Sequence, residues 1–181
     1  MWPRGCGGIF PAARIAVRPW EPDPPARAAT APAAGPLRVA VIGAIGLEKG
    51  YHVLLACARD AAARGLALHF DVVGYTEDDT KLLETGCVSV TGPFEPGTST
   101  RLLQAGAANI AFLPSIWPET WCYALSDAWD AGLDVAVFDI GTPAERVRRT
   151  GRGWVLPLNL PPARVNDVLL NLQALAGRSA Y

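Results

Sequence analysis

From Leu37 onward, short apolar runs rich in β-branched residues alternate with longer Ala- and Leu-rich segments. The runs are nearly continuous in apolar character, which is typical of parallel strands buried on both faces. Strands are predicted over 38–42, 66–73, 88–90, 110–113, 135–138 and 154–156. Helices are predicted over 51–64, 78–84, 99–105, 121–131, 142–149 and 162–176. Because strands and helices alternate throughout, the pattern predicts an α/β fold: a Rossmann-like parallel sheet with helices on both faces.

Residues 1–36 have a different composition, with dense Pro and Ala after one strand-like run at 15–17. Pro-rich sequence of this kind is typical of an extended linker. We therefore predict that residues 1–36 are the tail of a preceding domain joined to a linker, and that residues 37–181 form the Rossmann-like domain.

Charge and cysteine content exclude several classes of protein. The formal net charge of −1 argues against a broad nucleic-acid interface. Four cysteines, at 6, 57, 87 and 122, form no C-x-x-C pair, so neither a zinc site nor a redox motif is indicated, and scattered thiols favour a reducing, cytoplasmic location. No apolar run reaches membrane-spanning length, and the first residues lack the apolar stretch of a signal peptide.

The loop from Gly43 to Gly50 carries three glycines and Lys49 between a predicted strand and a predicted helix. It matches neither a P-loop nor the G-x-G-x-x-G fingerprint. Glycine lets a ligand approach the backbone, and a helix start with a lysine suits a diphosphate. The alternative is an ordinary strand–helix loop with a surface lysine.

The segment from Pro114 to Asp127 places Glu119 before a predicted helix and Asp127 about two turns inside it. Eight residues at helical rise span ~12 Å, comparable to the distance from sugar to ribose across a diphosphate. The first helix amides, predicted at Trp121 and Cys122, suit an anion. The alternative is that Glu119 complements the helix dipole and Asp127 is exposed to solvent.

Taken together, the two motifs resemble the C-terminal domain of retaining glycosyltransferases of family 4, which have the GT-B fold. The resemblance runs from about Arg38 to about Leu172 and includes Gly141–Glu145 and Gly151–Trp154. It implies that the chain binds a nucleotide-diphospho-sugar, with no metal and no other cofactor, for polysaccharide biosynthesis. It also implies an acceptor-binding N-terminal domain as partner, without which this chain would be inactive; nothing in the sequence indicates membrane association.

The resemblance assigns roles residue by residue. Lys49 would bind the diphosphate and Glu119 the transferred sugar, and these two are the expected catalytic residues. The backbone of Trp121 and Cys122 would hold the distal phosphate, Asp127 the ribose, and residues 90–92 the base. The full expected substrate-binding set is Gly43, Gly46, Lys49, Thr91, Ser115, Glu119, Trp121, Cys122, Tyr123 and Asp127.

Three departures from the family pattern leave other functions open. Ala44 stands where the family usually has Arg, Asp127 stands where it usually has Glu, and the acceptor-binding domain is not recognised in the sequence. A non-catalytic assembly or regulatory module, and a fragment of a GT-B nucleotide-sugar epimerase, are therefore the alternative functions. A flavodoxin-like module is less compatible with the Ser/Thr-poor first loop.

Other conspicuous residues have structural explanations that we favour. Thr142, Pro143 and Glu145 form a predicted capping box, and Trp129 is a predicted core residue. Trp117 and Trp121 fit a core role and a stacking role equally well. The acids at 77–79 are expected to start a helix rather than to bind metal. A group of arginines is expected to be solvated surface: Arg146, Arg148, Arg149 and Arg152.

Overall fold

A computed structural model of the chain describes Pro24 and residues 35–176, so the predicted tail and most of the linker lie outside the described residues. The strands are β1 (Leu37–Ile45), β2 (Leu68–Thr76), β3 (Val88–Val90), β4 (Ile110–Leu113), β5 (Val135–Phe138) and β6 (Gly153–Leu156). The helices are α1 (Tyr51–Arg64), α2 (Asp79–Leu83), α3 (Ser99–Ala105), α4 (Tyr123–Asp130), α5 (Gly141–Thr150) and α6 (Pro162–Ala176).

The six strands form one sheet in the order β3-β2-β1-β4-β5-β6, and each neighbouring pair is parallel. The chain builds outward from β1 in one direction and then returns to add β4 on the other side. This reversal between β1 and β4 is a topological switch point, where the loops at the carboxyl ends of two adjacent strands diverge. Ligands of open α/β sheets bind at that position.

Both faces of the sheet are covered, as predicted. Along β1, Val39 and Val41 enter one apolar cluster and Ala40 and Ile42 the other, because successive side chains of a strand point to opposite faces. The first cluster includes buried residues of α1, α2 and α6, and the second includes buried residues of α3, α4 and α5. Trp129 of α4 is 2 % exposed and lies in the second cluster, so its predicted core role is confirmed.

Three predicted helix starts differ from the structure, and that of α2 does so by one residue, at Asp79 instead of residue 78. Helix α4 begins at Tyr123 rather than at Trp121, because Cys122 adopts a left-handed conformation with φ 68°. Helix α5 begins at Gly141, and Ile140 before it makes no side-chain capping bond. The predicted capping box is therefore absent, and Glu145 is exposed. By contrast, Asp78 caps α2 by accepting a hydrogen bond from the Lys81 amide, as expected for an acidic helix start.

The expectation that the arginine group is solvated surface is wrong for two of its members. Arg146 is 1 % exposed and Arg152 is 5 % exposed. The guanidinium of Arg152 pairs with Asp134, with 3.0 Å between Nε and Oδ1. Helical spacing alone does not distinguish Arg146 from the exposed Arg148 and Arg149 of the same helix, and Arg152 lies beyond the end of α5.

Within residues 35–176, no helix is long and apolar enough to cross a membrane.

Candidate functional site

An open cleft of about 530 Å³ lies at the switch point between β1 and β4. Its walls come from the end of β1, the loops that follow β1, β3 and β4, and the first turns of α4. The lining residues are Ile42, Gly43, Lys49, Phe94, Trp117, Pro118, Glu119, Thr120, Trp121, Cys122, Tyr123, Ala124 and Asp127.

The loops that follow β1 and β4 are held against each other by their backbones. Gly50 precedes α1 with φ 85°, and a Cβ at this position would lie 2.0 Å from the Pro114 carbonyl oxygen. Only glycine permits this approach. The Ile116 amide donates to the Glu48 carbonyl at 3.1 Å, which fixes the register of the two loops. The junction places Lys49 and Glu119 on facing walls of the cleft.

Lys49 and Glu119 form an ion pair across the cleft, with 3.7 Å between Nζ and Oε2. The Lys49 side chain is 44 % exposed, whereas that of Glu119 is 18 % exposed. Because the pair is partly solvated, its net contribution to stability is small, about 0–1 kcal/mol. A strongly anionic ligand therefore competes for the ammonium at modest cost.

The Glu119 loop is also fastened to the start of α5. The Thr142 amide donates to the Glu119 carbonyl at 3.1 Å. Gly141 has φ 65°, and a Cβ at this position would lie 2.9 Å from Pro118 Cα and 3.0 Å from both the nitrogen and the carbonyl oxygen of Glu119. The Glu119 backbone is thus held by the start of α5, and its carboxylate faces Lys49 of the loop after β1.

The turn before α4 and the first residues of α4 line the cleft. Because α4 begins at Tyr123, its first amides without intrahelical acceptors are those of Tyr123 and Ala124. The prediction had placed these first helix amides two residues earlier, at Trp121 and Cys122.

The Cys122 thiol lies beside these amides. Burial, followed by the nearby charge of Glu119, raises the pKa of the Cys122 thiol to about 12. The thiol is therefore protonated at neutral pH and is a poor nucleophile.

Asp127 lies in the second turn of α4 and lines the cleft. Its carboxylate accepts a hydrogen bond from the buried hydroxyl of Ser99, with 2.8 Å between Oγ and Oδ2. The Asp127 side chain is half-buried, so the alternative that it is exposed to solvent is wrong. Residues 119–122 are not helical, so the helical estimate of the spacing between Glu119 and Asp127 does not apply to this segment.

Most of the expected substrate-binding residues line the cleft, and three do not. The three are Gly46, Thr91 and Ser115. The Thr91 hydroxyl accepts a hydrogen bond from the Gly74 amide at 2.9 Å, and the buried Ser115 hydroxyl lies 3.2 Å from the Trp117 carbonyl. Thr91 and Ser115 therefore shape the neighbouring loops, and Ser115 lines a smaller cavity next to the cleft.

Phe94 was not among the predicted site residues, and it lines the cleft from the loop after β3. This side chain also packs against the second apolar cluster, so it joins the core to the cleft wall. Its place directly after Gly92-Pro93, beyond the carboxyl end of a strand, was the available signal. Of the two uncertain tryptophans, Trp117 lines the cleft and is 58 % exposed, and Trp121 lines it while half-buried.

Fold and cleft together define a Rossmann-like domain with an anion-compatible site at its switch point. Residues 23–172 match the family model of glycosyl transferases group 1, so the chain belongs to that family. A comparison with curated proteins gave no match.

Several solved glycosyltransferase structures share the fold. Anabaena HepE, solved in complex with UDP-glucose, aligns with a TM-score of 0.60 and 17 % identity over 80 % of this chain and 45 % of HepE. WaaG, a glycosyltransferase involved in lipopolysaccharide biosynthesis, aligns with a TM-score of 0.61 and 15 % identity over 82 % of this chain and 41 % of WaaG. A TarM variant from S. aureus, solved with UDP among its ligands, aligns with a TM-score of 0.60 and 17 % identity over 82 % of this chain and 31 % of TarM. The predicted fold class, one half of a GT-B fold, is confirmed, and the chain spans less than half the length of each of these proteins.

Proposed function

We propose that this chain is the donor-binding domain of a retaining, family-4-type glycosyltransferase and that its donor is a UDP-sugar. The observation that carries the proposal is the convergence of Lys49 and the start of α4 on one cleft, with Glu119 and Asp127 on its walls. Solved relatives of the same fold hold UDP or UDP-glucose, which supports uridine as the base.

Each lining group has a chemical counterpart in such a donor. Lys49 and the amides of Tyr123 and Ala124 would hold the diphosphate, because a helix N-terminus and an ammonium both favour negative charge. Asp127, oriented by Ser99, would accept hydrogen bonds from the ribose hydroxyls. Glu119 would accept hydrogen bonds from hydroxyls of the sugar.

Transfer requires that the UDP leaving group be stabilised as the bond to the sugar breaks. In this proposal, the fixed charge of Lys49 and the oriented amides of α4 stabilise the developing diphosphate charge without a metal ion. Groups that are fixed in advance do not need to reorganise during the reaction, so they act more strongly than water does.

The acceptor would be held by an N-terminal domain that faces the cleft. The solved relatives are more than twice as long as the aligned portion of this chain, which supports a second domain in the whole protein. In this proposal the whole enzyme acts in polysaccharide biosynthesis in the cytoplasm, and this chain alone binds the donor without transferring its sugar.

The test is calorimetric titration of the chain with UDP, GDP and ADP and with a sugar derivative of each. The proposal predicts a preference for UDP and its sugars over the purine nucleotides. Equal affinity for all three bases would argue against the uridine assignment. No binding of any of them at millimolar concentration would argue against a donor site.

A non-catalytic assembly or regulatory module is the second candidate. It is favoured by the charge of the cleft lining: in the part of the chain that the structure describes, Lys49 is the one lining cation beside the carboxylates of Glu119 and Asp127. Ala44, exposed at the end of β1, adds no further charge. Binding of UDP-sugars by the chain, with no transfer by the full-length protein to any acceptor, would support this candidate.

A further inference from the structure

Arg146 of α5 is almost completely buried, and its guanidinium contacts both the turn before α4 and α4 itself. Its NH1 lies 3.3 Å from the Trp121 carbonyl oxygen, and its NH2 lies 3.0 Å from the Ser126 hydroxyl. The guanidinium carbon also lies 4.0 Å from the centre of the Trp121 ring and 5.0 Å from that of Trp129. A single planar cation therefore contacts the main chain and the ring of Trp121 at once.

We infer that Arg146 is a positioning residue that holds the Trp121–Cys122 turn in the shape that aims the first amides of α4 into the cleft. Cys122 has a left-handed backbone, φ 68°, and a non-glycine residue keeps this conformation only where its surroundings enforce it. Trp121 is the residue immediately before it, so fixing the Trp121 carbonyl fixes one side of the strained turn. Ser126 lies one turn into α4 and fixes the other side.

Arginine suits this task better than lysine does. Its five donors lie in one plane, so it can donate to two acceptors while its face stacks on an indole. Lysine offers a compact, strongly hydrated charge that does not reproduce the fork and the stacking together. Arg146→Lys therefore keeps the positive charge and removes the planar set of donors and the stacking on the indole.

Arg152 provides a matched control. It is also a buried arginine that contacts Trp129, with 3.5 Å between its NH2 and the Trp129 carbonyl oxygen, but its ion pair is with Asp134. It lines neither the cleft nor the smaller cavity beside it. Arg152→Lys thus tests the general cost of altering a buried arginine on this side of the sheet.

Two buried cysteines report on local and global opening separately. Cys122 lies in the turn itself and is 7 % exposed, whereas Cys57 lies in the apolar cluster on the other face of the sheet and is 0 % exposed. The labelling rates of both thiols are measured in a Cys6→Ser, Cys87→Ser background under native conditions. A change confined to the turn accelerates labelling of Cys122 only, whereas global destabilisation accelerates labelling of both.

Arg146→Lys is expected to accelerate Cys122 labelling by about tenfold, with Cys57 labelling unchanged within about twofold. Arg152→Lys is expected to leave the ratio of the two rates unchanged. If Arg146→Lys fails to fold, the milder Ser126→Ala variant is expected to raise the same ratio by about threefold. A parallel rise for both cysteines, or no change at Cys122, would overturn the inference.

The link to donor binding rests on the proposed function and is tested separately. If wild-type protein binds UDP, Arg146→Lys is expected to weaken this binding by about tenfold and Arg152→Lys by less than about twofold. Equal affinity of wild type and Arg146→Lys would overturn the positioning role while leaving the proposed function intact. If wild type binds no UDP, the proposed function fails, and the labelling ratio alone decides whether Arg146 holds the turn.

Discussion

The Lys49 ammonium lies 3.7 Å from the Glu119 carboxylate and joins the loop after β1 to the loop after β4. These two strands are neighbours at the switch point, so the pair crosses the place where an α/β sheet binds its ligand. In the absence of a ligand the carboxylate partly neutralises the ammonium. A bound diphosphate would replace Glu119 as the nearest anion of Lys49, which leaves the carboxylate available to sugar hydroxyls.

Glu119→Gln is therefore expected to tighten the binding of UDP by up to about fivefold, because the exchange removes a negative charge that competes for Lys49. The same substitution should abolish sugar transfer by the full-length enzyme. Calorimetric titration with UDP measures the first effect. Glu48→Gln is the control, because it removes an exposed carboxylate next to Lys49, in the loop after β1, that does not line the cleft. Weaker binding of UDP by Glu119→Gln than by the control would contradict this account.

Gly141→Ala is expected to destabilise the fold and to displace Glu119. The residue has φ 65°, and its new Cβ would approach the Pro118 and Glu119 backbone to 2.9–3.0 Å. Gly151→Ala is the matched control, because Gly151 has φ 67° and no atom within 4 Å of the added Cβ. The left-handed backbone alone should cost each variant about 1 kcal/mol of unfolding free energy.

Urea unfolding and UDP titration of the two glycine variants distinguish the cost of backbone strain from the displacement of Glu119. Gly141→Ala should lose more stability than Gly151→Ala, and only Gly141→Ala should alter UDP affinity. If the two variants behave alike in both measurements, the close approach at Gly141 does not position Glu119.

Asp127→Asn is expected to weaken UDP binding by about tenfold and to leave pyrophosphate binding almost unchanged, because Asp127 is assigned to the ribose and not to the phosphates. Asp130→Asn, at the exposed end of the same helix, controls for the loss of one helix carboxylate. Competition titrations with UDP and pyrophosphate provide the comparison. An equal loss of affinity for both ligands would place Asp127 near the phosphates instead.

Alkaline pH is expected to destabilise the protein through its buried thiols. Burial raises the pKa of both Cys57 and Cys122 from 9.0 to about 12. Between these values the unfolded thiols have lost protons that the folded thiols keep, so the stabilisation is complete below pH 9 and is lost as the pH rises toward 12. Each thiol should contribute a slope of up to about 1.4 kcal/mol per pH unit.

Urea unfolding of wild type and Cys57→Ala at several pH values above 9 measures the thiol contribution. The variant should lose stability less steeply with rising pH, whatever its stability at pH 7. Identical slopes for the two proteins would show that Cys57 ionises equally in the folded and unfolded states.

The order of strands and helices could be predicted from the sequence because it depends on local patterns. The bounds of α1 were predicted to the residue, since Gly65 adopts a left-handed conformation at its end. The start of α4 was not, because a left-handed backbone at a non-glycine residue such as Cys122 is uncommon and no local pattern indicates it. The same limit applies to Arg146, whose burial depends on the two tryptophans that pack beside it.

Residues of the candidate site could be predicted from the sequence where they lie close to the carboxyl end of a predicted strand. Lys49 and Glu119 lie in loops that follow strands, Asp127 lies in the second turn of the helix after Glu119, and all three line the cleft. Thr91 also follows a strand, but its hydroxyl is used by the Gly74 amide, a long-range contact that no sequence pattern indicates.

The most direct test of the account is a calorimetric comparison of wild type and Lys49→Ala with UDP at low ionic strength. Wild type is expected to bind UDP measurably, and Lys49→Ala is expected to weaken this binding by about tenfold or more, because Lys49 is the one cation among residues 35–176 that lines the cleft. Equal affinity of the two proteins for UDP, or no binding by wild type at millimolar ligand, would contradict the assignment of this cleft as a nucleotide-sugar site.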